Sequence, residues 1–323
     1  MISIVIPIFN EEESLANLYK RLVASSSLWL ESFEVLLVDD GSSDRSFAMM
    51  REISNVDRNF KIIRLSRNFG HQAAISAGIK IAKGDAVIIM DGDLQDPPEE
   101  LPRFLEKWRE GYEVVYAIRT QRKESFFKRM AYKVFYRMLR MISDIKIPLD
   151  SGDFCVMDRK VVNVLNIDLK EQNRFVRGLR AYAGFKQIGV EYERAERFAG
   201  EVKYTFRKLL KLALDGMFDF STFPLRIATY MGLFISIPSF LLGIFFIVHR
   251  VLDFEVFGYS PKDTPGLASL AVGMFFLGGV ILIILGIIGE YIGRIYYEVK
   301  RRPFYIIDEI YEQDESVTGN EIQ

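Results

Sequence analysis

The sequence predicts an α/β fold with a mostly parallel sheet, followed by interfacial amphipathic helices and two transmembrane helices. Short apolar runs typical of buried strands alternate with helical patterns from Ile2 to Tyr116. Such alternation is typical of a parallel sheet with helices on both faces. Two later stretches, residues 227–248 and 266–289, contain no charged side chain. At about 1.5 Å per residue, each is long enough to cross a hydrocarbon core of about 30 Å.

The first part of the chain is divided into predicted strands and helices in strict alternation. The predicted strands are Ile2–Ile8, Glu34–Val38, Lys61–Leu65, Ala86–Met90 and Glu113–Tyr116. The predicted helices are Glu12–Ala24, Arg45–Ile53, Gln72–Lys80 and Glu99–Trp108. Ligands of such sheets bind beyond the carboxyl ends of the strands. The residues that follow each strand are therefore the candidates for a functional site.

Three polar clusters follow three of these strands: residues 9–11, 39–42 and 91–93. Each cluster alone fits a helix cap or a turn, but three at successive strand ends predict one crevice. Asp91 and Asp93 stand one residue apart at the exit of a buried strand, which predicts a site for a divalent cation that binds a diphosphate. No dinucleotide fingerprint or P-loop follows any strand, which disfavours a dehydrogenase or an ATPase.

Charge, cysteine content and the first residues narrow the class of protein further. The net charge of −1 disfavours a nucleic-acid partner. The single cysteine, Cys155, excludes a disulfide framework, and its apolar neighbours predict a buried thiol. The chain starts with a strand-like segment rather than a charged region before an apolar one, so no cleaved signal peptide is expected.

The flanking charges predict how the two apolar stretches cross the membrane. Basic residues cluster before the first stretch and after the second, whereas the connection between them is mixed in charge. The positive-inside rule then places both termini and the catalytic domain on the cytoplasmic side of the inner membrane. A pair of buried core helices is the alternative interpretation. Small residues that include Gly289 and Gly293 predict a homo-oligomer packed through the second span.

Four parts of the chain are predicted: a catalytic domain at 1–200, a juxtamembrane helix at 201–225, a transmembrane pair at 226–293 and a cytoplasmic tail at 294–323. Residues 126–142 and 204–220 are basic and amphipathic. Such helices beside membrane spans commonly lie in the membrane interface. Ordinary surface helices on a core are the alternative for both. The polar end of the tail is expected to be disordered.

Four motifs resemble those of glycosyltransferase family 2. They are Val5–Glu12, Val38–Asp44, Arg67–Gly70 and Met90–Pro98. The resemblance spans residues 1 to about 210 and is strongest to the polyprenyl-phosphate glycosyltransferases, a branch that includes dolichol-phosphate mannose synthases and bactoprenol glucosyltransferases. It implies a GT-A fold, with a Rossmann-like mostly parallel sheet. It also implies a nucleotide-sugar donor, a Mg²⁺ or Mn²⁺ ion and inversion at the anomeric carbon.

The resemblance also assigns roles to residues by position. It implies nucleoside contacts from Pro7, Phe9, Glu11, Asp39 and Asp40. It implies that Asp91, Asp93 and Gln95 hold the metal and the diphosphate, with the two aspartates as metal ligands and Asp93 catalytic. The basic residues that it assigns to the phosphates and the acceptor are Arg119, Lys128, Arg129, Lys203 and Arg207, with Arg129 also catalytic. Val202 stands where relatives usually carry Ser or Thr.

Asp153 is the predicted acid on the acceptor side. The superfamily's Glu-Asp pair is missing because Glu171 is followed by Gln172, whereas Asp150–Phe154 matches a motif typical of the branch. Two roles remain open for Asp153. It is a general base, or it orients the acceptor phosphate or a sugar hydroxyl, since a polyprenyl phosphate with a second pKa near 6 is already mostly dianionic at neutral pH. His71 either lines the donor pocket or only starts a helix.

The leading prediction is transfer of a hexose, with glucose from UDP-glucose as the first candidate, to a polyprenyl phosphate such as undecaprenyl phosphate. One alternative is a processive polysaccharide synthase. Residues 172–175 do not match the Gln-x-x-Arg-Trp motif of those enzymes. A second alternative is a non-catalytic membrane scaffold for a lipid-linked sugar. Two spans are few for such a carrier, and the acidic clusters would then have no use.

Overall fold

The computed structural model describes residues 1–119, 151–171, 174–193, 223–252 and 267–312 of the chain. The chain divides into two compact units: Met1–Leu209 with Arg302–Gln323, and Leu210–Arg301. The two basic amphipathic segments lie outside the described residues. So do four predicted phosphate-binding residues: Lys128, Arg129, Lys203 and Arg207.

The first unit is built around an eight-stranded sheet. Its strands are β1 (Ile2–Ile8), β2 (Phe33–Asp39), β3 (Phe60–Leu65), β4 (Ala86–Ile89), β5 (Val114–Arg119), β6 (Ser151–Asp158), β7 (Gln187–Tyr192) and β8 (Ile307–Tyr311). Its described helices are α1 (Glu12–Ser26), α2 (Ser46–Val56), α3 (His71–Ile81), α4 (Leu101–Arg109), α5 (Arg159–Ile167) and α6 (Val176–Tyr182). A 3₁₀ turn, Pro98–Glu100, precedes α4.

The strand order is β7-β5-β6-β4-β1-β2-β3-β8. Strands β1, β2, β3 and β4 pair in parallel, and β5 pairs in parallel with β7. Only β6 and β8 run against their neighbours. The predicted mostly parallel α/β sheet is therefore confirmed, together with all five predicted strands and all four predicted helices. The observed bounds of these elements differ from the predicted ones by no more than a few residues at each end.

The core forms because the central strands are apolar along their whole length. Every residue of β1 is buried, as expected for a strand covered on both faces. Helix α1 turns Leu15, Leu18 and Leu22 inward at helical spacing. Helix α3 approaches the sheet so closely that a Cβ on Gly78 would lie 2.2 Å from a methyl group of Val5. This close packing fixes the start of α3, at His71, beside the carboxyl ends of the strands.

Strand β8 comes from a segment that the sequence assigned to the cytoplasmic tail. Residues 307–311 instead pair antiparallel with β3, with Ile63 opposite Ile310. The Tyr311 hydroxyl donates to Asn55 Oδ1 at 2.6 Å, and the Arg51 guanidinium lies 5.0 Å from the centre of the Tyr311 ring. This part of the predicted tail therefore belongs to the first unit and covers the edge of its sheet.

The second unit contains α7 (Phe223–Leu252) and α8 (Leu267–Lys300). These helices cover both apolar stretches that the sequence predicts to be helical. Many of their large apolar side chains are exposed, for example Phe234, Leu241 and Leu282. Within the described residues, one helical segment, Phe276–Lys300, combines the length and the apolar character needed to cross a membrane.

Candidate active site

The loops after β1 and β2 are locked together at the carboxyl edge of the sheet. The Asn10 N–H donates to Ser42 Oγ at 3.1 Å, and Asn10 Oδ1 accepts the Ser43 N–H at 2.9 Å. Asn10 adopts a left-handed φ of 54°, which its short polar side chain tolerates. The Glu11 N–H donates to Ser46 Oγ at 2.8 Å. The first two polar clusters of the sequence therefore form one rigid edge.

Asp39 and Asp40 at the end of β2 are both buried, but their carboxylates have different partners. Asp39 Oδ1 accepts the Ser42 N–H at 2.9 Å, and Asp39 Oδ2 lies 3.5 Å from Arg64 Nε. Asp40 instead accepts the backbone N–H groups of Phe69 and Gly70 at 2.7 and 2.9 Å. Burial raises the pKa of Asp40 despite these bonds. Asp40 therefore shapes the 66–70 loop.

Gly41 explains how that loop comes so close. Its φ of +71° lies in the left-handed region, and a Cβ there would lie 2.7 Å from the Asn68 backbone nitrogen. Only glycine permits both the conformation and the approach. The predicted nucleoside contacts border the same loops: Pro7 is in β1, Phe9 is 40% exposed beside its end, and the Glu11 carboxylate accepts the Ser14 hydroxyl at 3.0 Å.

Asp91 and Asp93 follow β4 at the same edge. The Gln95 N–H donates to Asp93 Oδ1 at 3.1 Å, so this turn is held by its own carboxylate. Burial and the nearby charge of Asp96 raise the pKa of Asp91 to about 7. Asp96 itself accepts the Tyr192 hydroxyl from β7 at 2.6 Å. Carboxylates that crowd a buried edge in this way suit a divalent cation, which would offset their mutual repulsion.

The carboxylates of Asp91 and Asp93 fit a Mg²⁺ or Mn²⁺ ion whose other ligands come from the substrate. Among the described residues, no group of three His, Cys, Asp or Glu side chains forms a complete metal site. Magnesium is usually held by one or two carboxylates together with substrate phosphates rather than by an all-protein cage. Asp91 and Asp93 match that requirement, with a diphosphate as the remaining ligand.

Asp153 reaches the same place from β6 because of the strand register. Ile89, at the end of β4, pairs with Cys155 of antiparallel β6, and Asp91 and Asp153 each lie two residues beyond that pair on their own chain segment. Arg177 Nη2 lies 3.4 Å from Asp153 Oδ1, and Gln72 Nε2 donates to Asp153 Oδ2 at 3.4 Å. Burial alone would raise the pKa of Asp153, but Arg177, His71 and Arg180 hold it well below its ordinary value.

His71 joins the two acidic groups. Its Nε2 lies 3.5 Å from Asp91 Oδ1 and 3.6 Å from Asp153 Oδ2. Partial burial disfavours the charged imidazole, but the carboxylates of Asp153, Asp91 and Asp40 outweigh it and raise the pKa of His71 to about 9. The imidazole is therefore a cation at neutral pH, between the predicted metal site and the predicted acceptor-side acid. Of the two roles that the sequence leaves open for His71, this geometry favours a place in the site.

The structure brings together most of the site residues that the sequence predicts and adds others. Asp39, Asp40, Asp91, Asp93 and Asp153 share one edge with the loops that carry Phe9, Glu11 and Gln95. Arg119 ends β5 at the same edge, where its backbone pairs with Tyr192, but its side chain lies outside the description. The sequence did not predict Gln72, Arg177 and Arg180 as site residues. Arg177 and Arg180 are three residues apart, and that spacing was the available signal of a shared helix face.

A mostly parallel sheet with a reversed β6, and with an Asp-x-Asp turn beside β4, defines the GT-A class of glycosyltransferase fold. The profile of one family, described as Glycosyl transferase family 2, matches residues 3–165. The chain belongs to glycosyltransferase family 2 and is a glycosyltransferase.

Comparisons with individual proteins extend beyond the catalytic half. The glycosyltransferase YkcC of Bacillus subtilis, described as uncharacterized, is 49% identical over 96% of this chain and 94% of its own. The SfII prophage-derived bactoprenol glucosyl transferase of Shigella flexneri is 43% identical over 95% of this chain and 97% of its own. The solved glucosyl-3-phosphoglycerate synthase of Mycobacterium tuberculosis, in complex with Mn²⁺ and uridine-diphosphate, is 20% identical with a TM-score of 0.40. The match covers 67% of this chain and 76% of the synthase.

Proposed function

We propose that this enzyme transfers a hexose from a nucleotide sugar to a polyprenyl phosphate at the membrane interface, with inversion at the anomeric carbon. Glucose from UDP-glucose and undecaprenyl phosphate are the first candidates for donor and acceptor. The observation that carries the proposal is the His71 imidazole within 3.6 Å of both Asp91 and Asp153. It joins a carboxylate of the leaving-group side to a carboxylate of the attacking side. The named bactoprenol glucosyl transferase supports the lipid acceptor.

The loops that carry Phe9, Glu11 and Asp39 are the proposed nucleoside site, and Asp91 and Asp93 would hold Mg²⁺ or Mn²⁺ with the diphosphate. When bound, the ion would neutralise charge on the departing nucleoside diphosphate. Its positive charge would favour departure because it stabilises the negative charge that develops on the leaving group. In the metal-free protein, His71 is a further cation 3.5 Å from Asp91.

On the attacking side, the structure favours the orienting role of Asp153 over that of a general base. A general base works best when its pKa is near the operating pH, whereas Arg177 and His71 keep the pKa of Asp153 low. The acceptor phosphate is already an oxygen anion and loses no proton to attack. Cations are needed to bring it to the donor, and Arg119, Lys128, Arg129, Lys203 and Arg207 are the proposed set.

The membrane assignment is part of the proposal. Residues 1–200 form the catalytic domain and 201–225 the interfacial helix, and α7 and α8 cross the cytoplasmic membrane as two spans with both termini inside. The exposed apolar side chains of these helices support that arrangement, since a lipid environment would cover them. The acceptor phosphate would then lie at the interface, with its prenyl chain in the bilayer. Homo-oligomers would form through α8.

The test uses purified full-length protein in lipid nanodiscs with Mg²⁺ or Mn²⁺, undecaprenyl phosphate and radiolabelled nucleotide sugars. We expect label from a single sugar to enter the lipid fraction as a monosaccharide product, and Asp93→Asn to abolish it. A labelled polymer would favour the processive synthase. Failure of every donor to transfer or bind would contradict the proposal and favour the non-catalytic scaffold.

A further inference from the structure

A buried arginine on α6 lowers the pKa of Asp153 through its charge, and the proposed donor and acceptor sites do not use it. Arg180 is 1% exposed and follows Arg177 by one helical turn on α6. Its Cζ lies 5.6 Å from the centre of the Tyr116 ring, and its guanidinium interacts with the buried Cys155 thiol. Among the described residues, its Nε and Nη2 have no hydrogen-bond partner. Burying a cation with so few partners costs several kcal/mol of stability, so packing alone does not account for Arg180.

The contacts of β6 show which carboxylate the Arg180 charge acts on. Asp153 Oδ1 lies 3.4 Å from Arg177 Nη2 and the Cys155 thiol interacts with Arg180, so both side chains project from the face of the sheet that α6 covers. Tyr116 pairs with Cys155 on the neighbouring strand. Arg180 therefore lies over that face, and its charge acts on Asp153.

Arg177 and Arg180 differ in access to solvent. The Arg177 side chain is 24% exposed and contacts Asp153 directly at 3.4 Å. An exposed cation beside the crevice can be shared with an arriving phosphate. Arg180 is buried, so its charge lies on the protein side of Asp153.

We propose that Arg180 is a positioning residue for glycosyl transfer, which acts through Asp153 by fixing that carboxylate against His71 and Gln72 while Arg177 engages the acceptor. The proposal rests on the proposed function, because Asp153 is there the group that orients the acceptor. A positioning residue of this kind raises turnover without contributing to donor affinity.

The first experiment separates charge from packing. Arg180→Lys keeps a cation, whereas Arg180→Met keeps the length and apolar bulk of the stem without the charge. We expect Lys to keep kcat within about threefold of the wild type and Met to lower kcat about tenfold or more, with KM for the nucleotide sugar within about twofold in both. A packing role predicts the opposite order, because Met removes the cost of a buried charge. A Met variant with at least half of the wild-type kcat would overturn the proposal.

The second experiment asks whether Arg180 acts through Asp153. In an Asp153→Asn background, Arg180→Met should change kcat by less than about twofold, because the group that it positions has lost its charge. A full tenfold loss in that background would contradict the proposal. Thermal unfolding of all four proteins verifies folding, and Arg180→Gln replaces Arg180→Met if the latter does not fold.

A third readout does not depend on the lipid acceptor. The shifts in Tm for Arg180→Met and Asp153→Asn should be non-additive, because the two charges interact in the folded state. Additive shifts would contradict the pairing. If the wild type hydrolyses UDP-glucose but transfers nothing to lipid, the proposed acceptor is wrong. The role of Arg180 is then tested by the same ratios of kcat, measured for hydrolysis, and by the non-additivity of the Tm shifts.

Discussion

At the scale of single residues, the site is a balance of buried charges. Asp91, Asp93 and Asp96 crowd the turn after β4, while Arg177, Arg180 and His71 approach from the other side. A carboxylate with few cations nearby, such as Asp91, has a raised pKa, whereas Asp153 between cations has a lowered one. Opposite shifts on neighbouring acids are typical of sites where the two groups perform different tasks.

His71 should make stability depend on pH in the metal-free protein. Its folded-state pKa of about 9 lies above the ordinary value of 6.5. The stabilisation is therefore fully present below pH 6.5 and is lost as the pH rises through about 9. His71→Gln should remove it, which lowers the unfolding free energy at pH 6 by about 1 kcal/mol, since solvent screens a side chain that is 46% exposed. Melting curves in EDTA at pH 6 and pH 9.5 measure the difference in unfolding free energy between the wild type and His71→Gln. A difference that does not shrink at pH 9.5 would contradict the raised pKa of His71.

Asp153 yields a second prediction at this scale. If it orients the acceptor, Asp153→Asn keeps the shape and some hydrogen bonding, so turnover should fall less than in Arg129→Ala or Asp93→Ala. We expect a loss of about tenfold against about a hundredfold or more for the other two. Steady-state rates at saturating donor measure the difference. An Asp153→Asn enzyme as inactive as Asp93→Ala would restore the role of general base.

At the scale of elements, β8 is the strand, not predicted from the sequence, whose removal we expect to have the largest effect. It covers the edge of β3, and the Ser66 N–H donates to the Ile306 carbonyl next to the loop that Asp40 holds. Lys61 lies 3.2 Å from Glu34 and 3.3 Å from Glu312, so charges also tie the returning chain to the sheet. The segment that ends in β8 therefore supports both the edge of β3 and the 66–70 loop, which Asp40 holds.

Truncation after residue 304 should expose the β3 edge and loosen that loop. We expect Tm to fall by about 5 °C or more, UDP to bind more weakly and aggregation to increase, because an unpaired strand edge can pair with another chain. Differential scanning fluorimetry and UDP titration measure these effects. Truncation after residue 312 is the matched control, and equal behaviour of the two truncations would contradict the role of β8.

The first five strands were predictable from the sequence, whereas β6, β7 and β8 were not predicted. Strands β1, β2 and β4 are covered on both faces, so their composition alone identifies them. Strand β8 reads Ile-Asp-Glu-Ile-Tyr, and its two adjacent charges hide an edge strand. The meeting of Asp91 with Asp153 depends on antiparallel register between β4 and β6, which spacing along the chain cannot give. Arg177 and Arg180 were missed because their helix has only seven residues, too few for apolar periodicity to show which face it buries.

At the scale of the whole molecule, the two units meet different demands of the proposed reaction. The sheet unit offers a polar crevice suited to a water-soluble nucleotide sugar. The helical unit offers long apolar surfaces suited to lipid, and its glycines suit contact between copies. Among the described residues, a Cβ added at Gly286, Gly289 or Gly293 would meet no atom within 4 Å. These positions are therefore open to close approach by another helix.

Bulky substitutions on α8 should test whether copies associate through that face. Gly289 and Gly293 are four residues apart and so lie on one side of the helix, whereas Gly273 faces nearly the opposite direction. If helices pack on the Gly289 side, Gly289→Ile and Gly293→Ile should reduce cross-linked oligomers in membranes several-fold, because the side chain blocks backbone approach. Gly273→Ile adds the same bulk and should leave the oligomer fraction unchanged. Only monomer in the wild type, or equal losses from all three substitutions, would contradict association through this face.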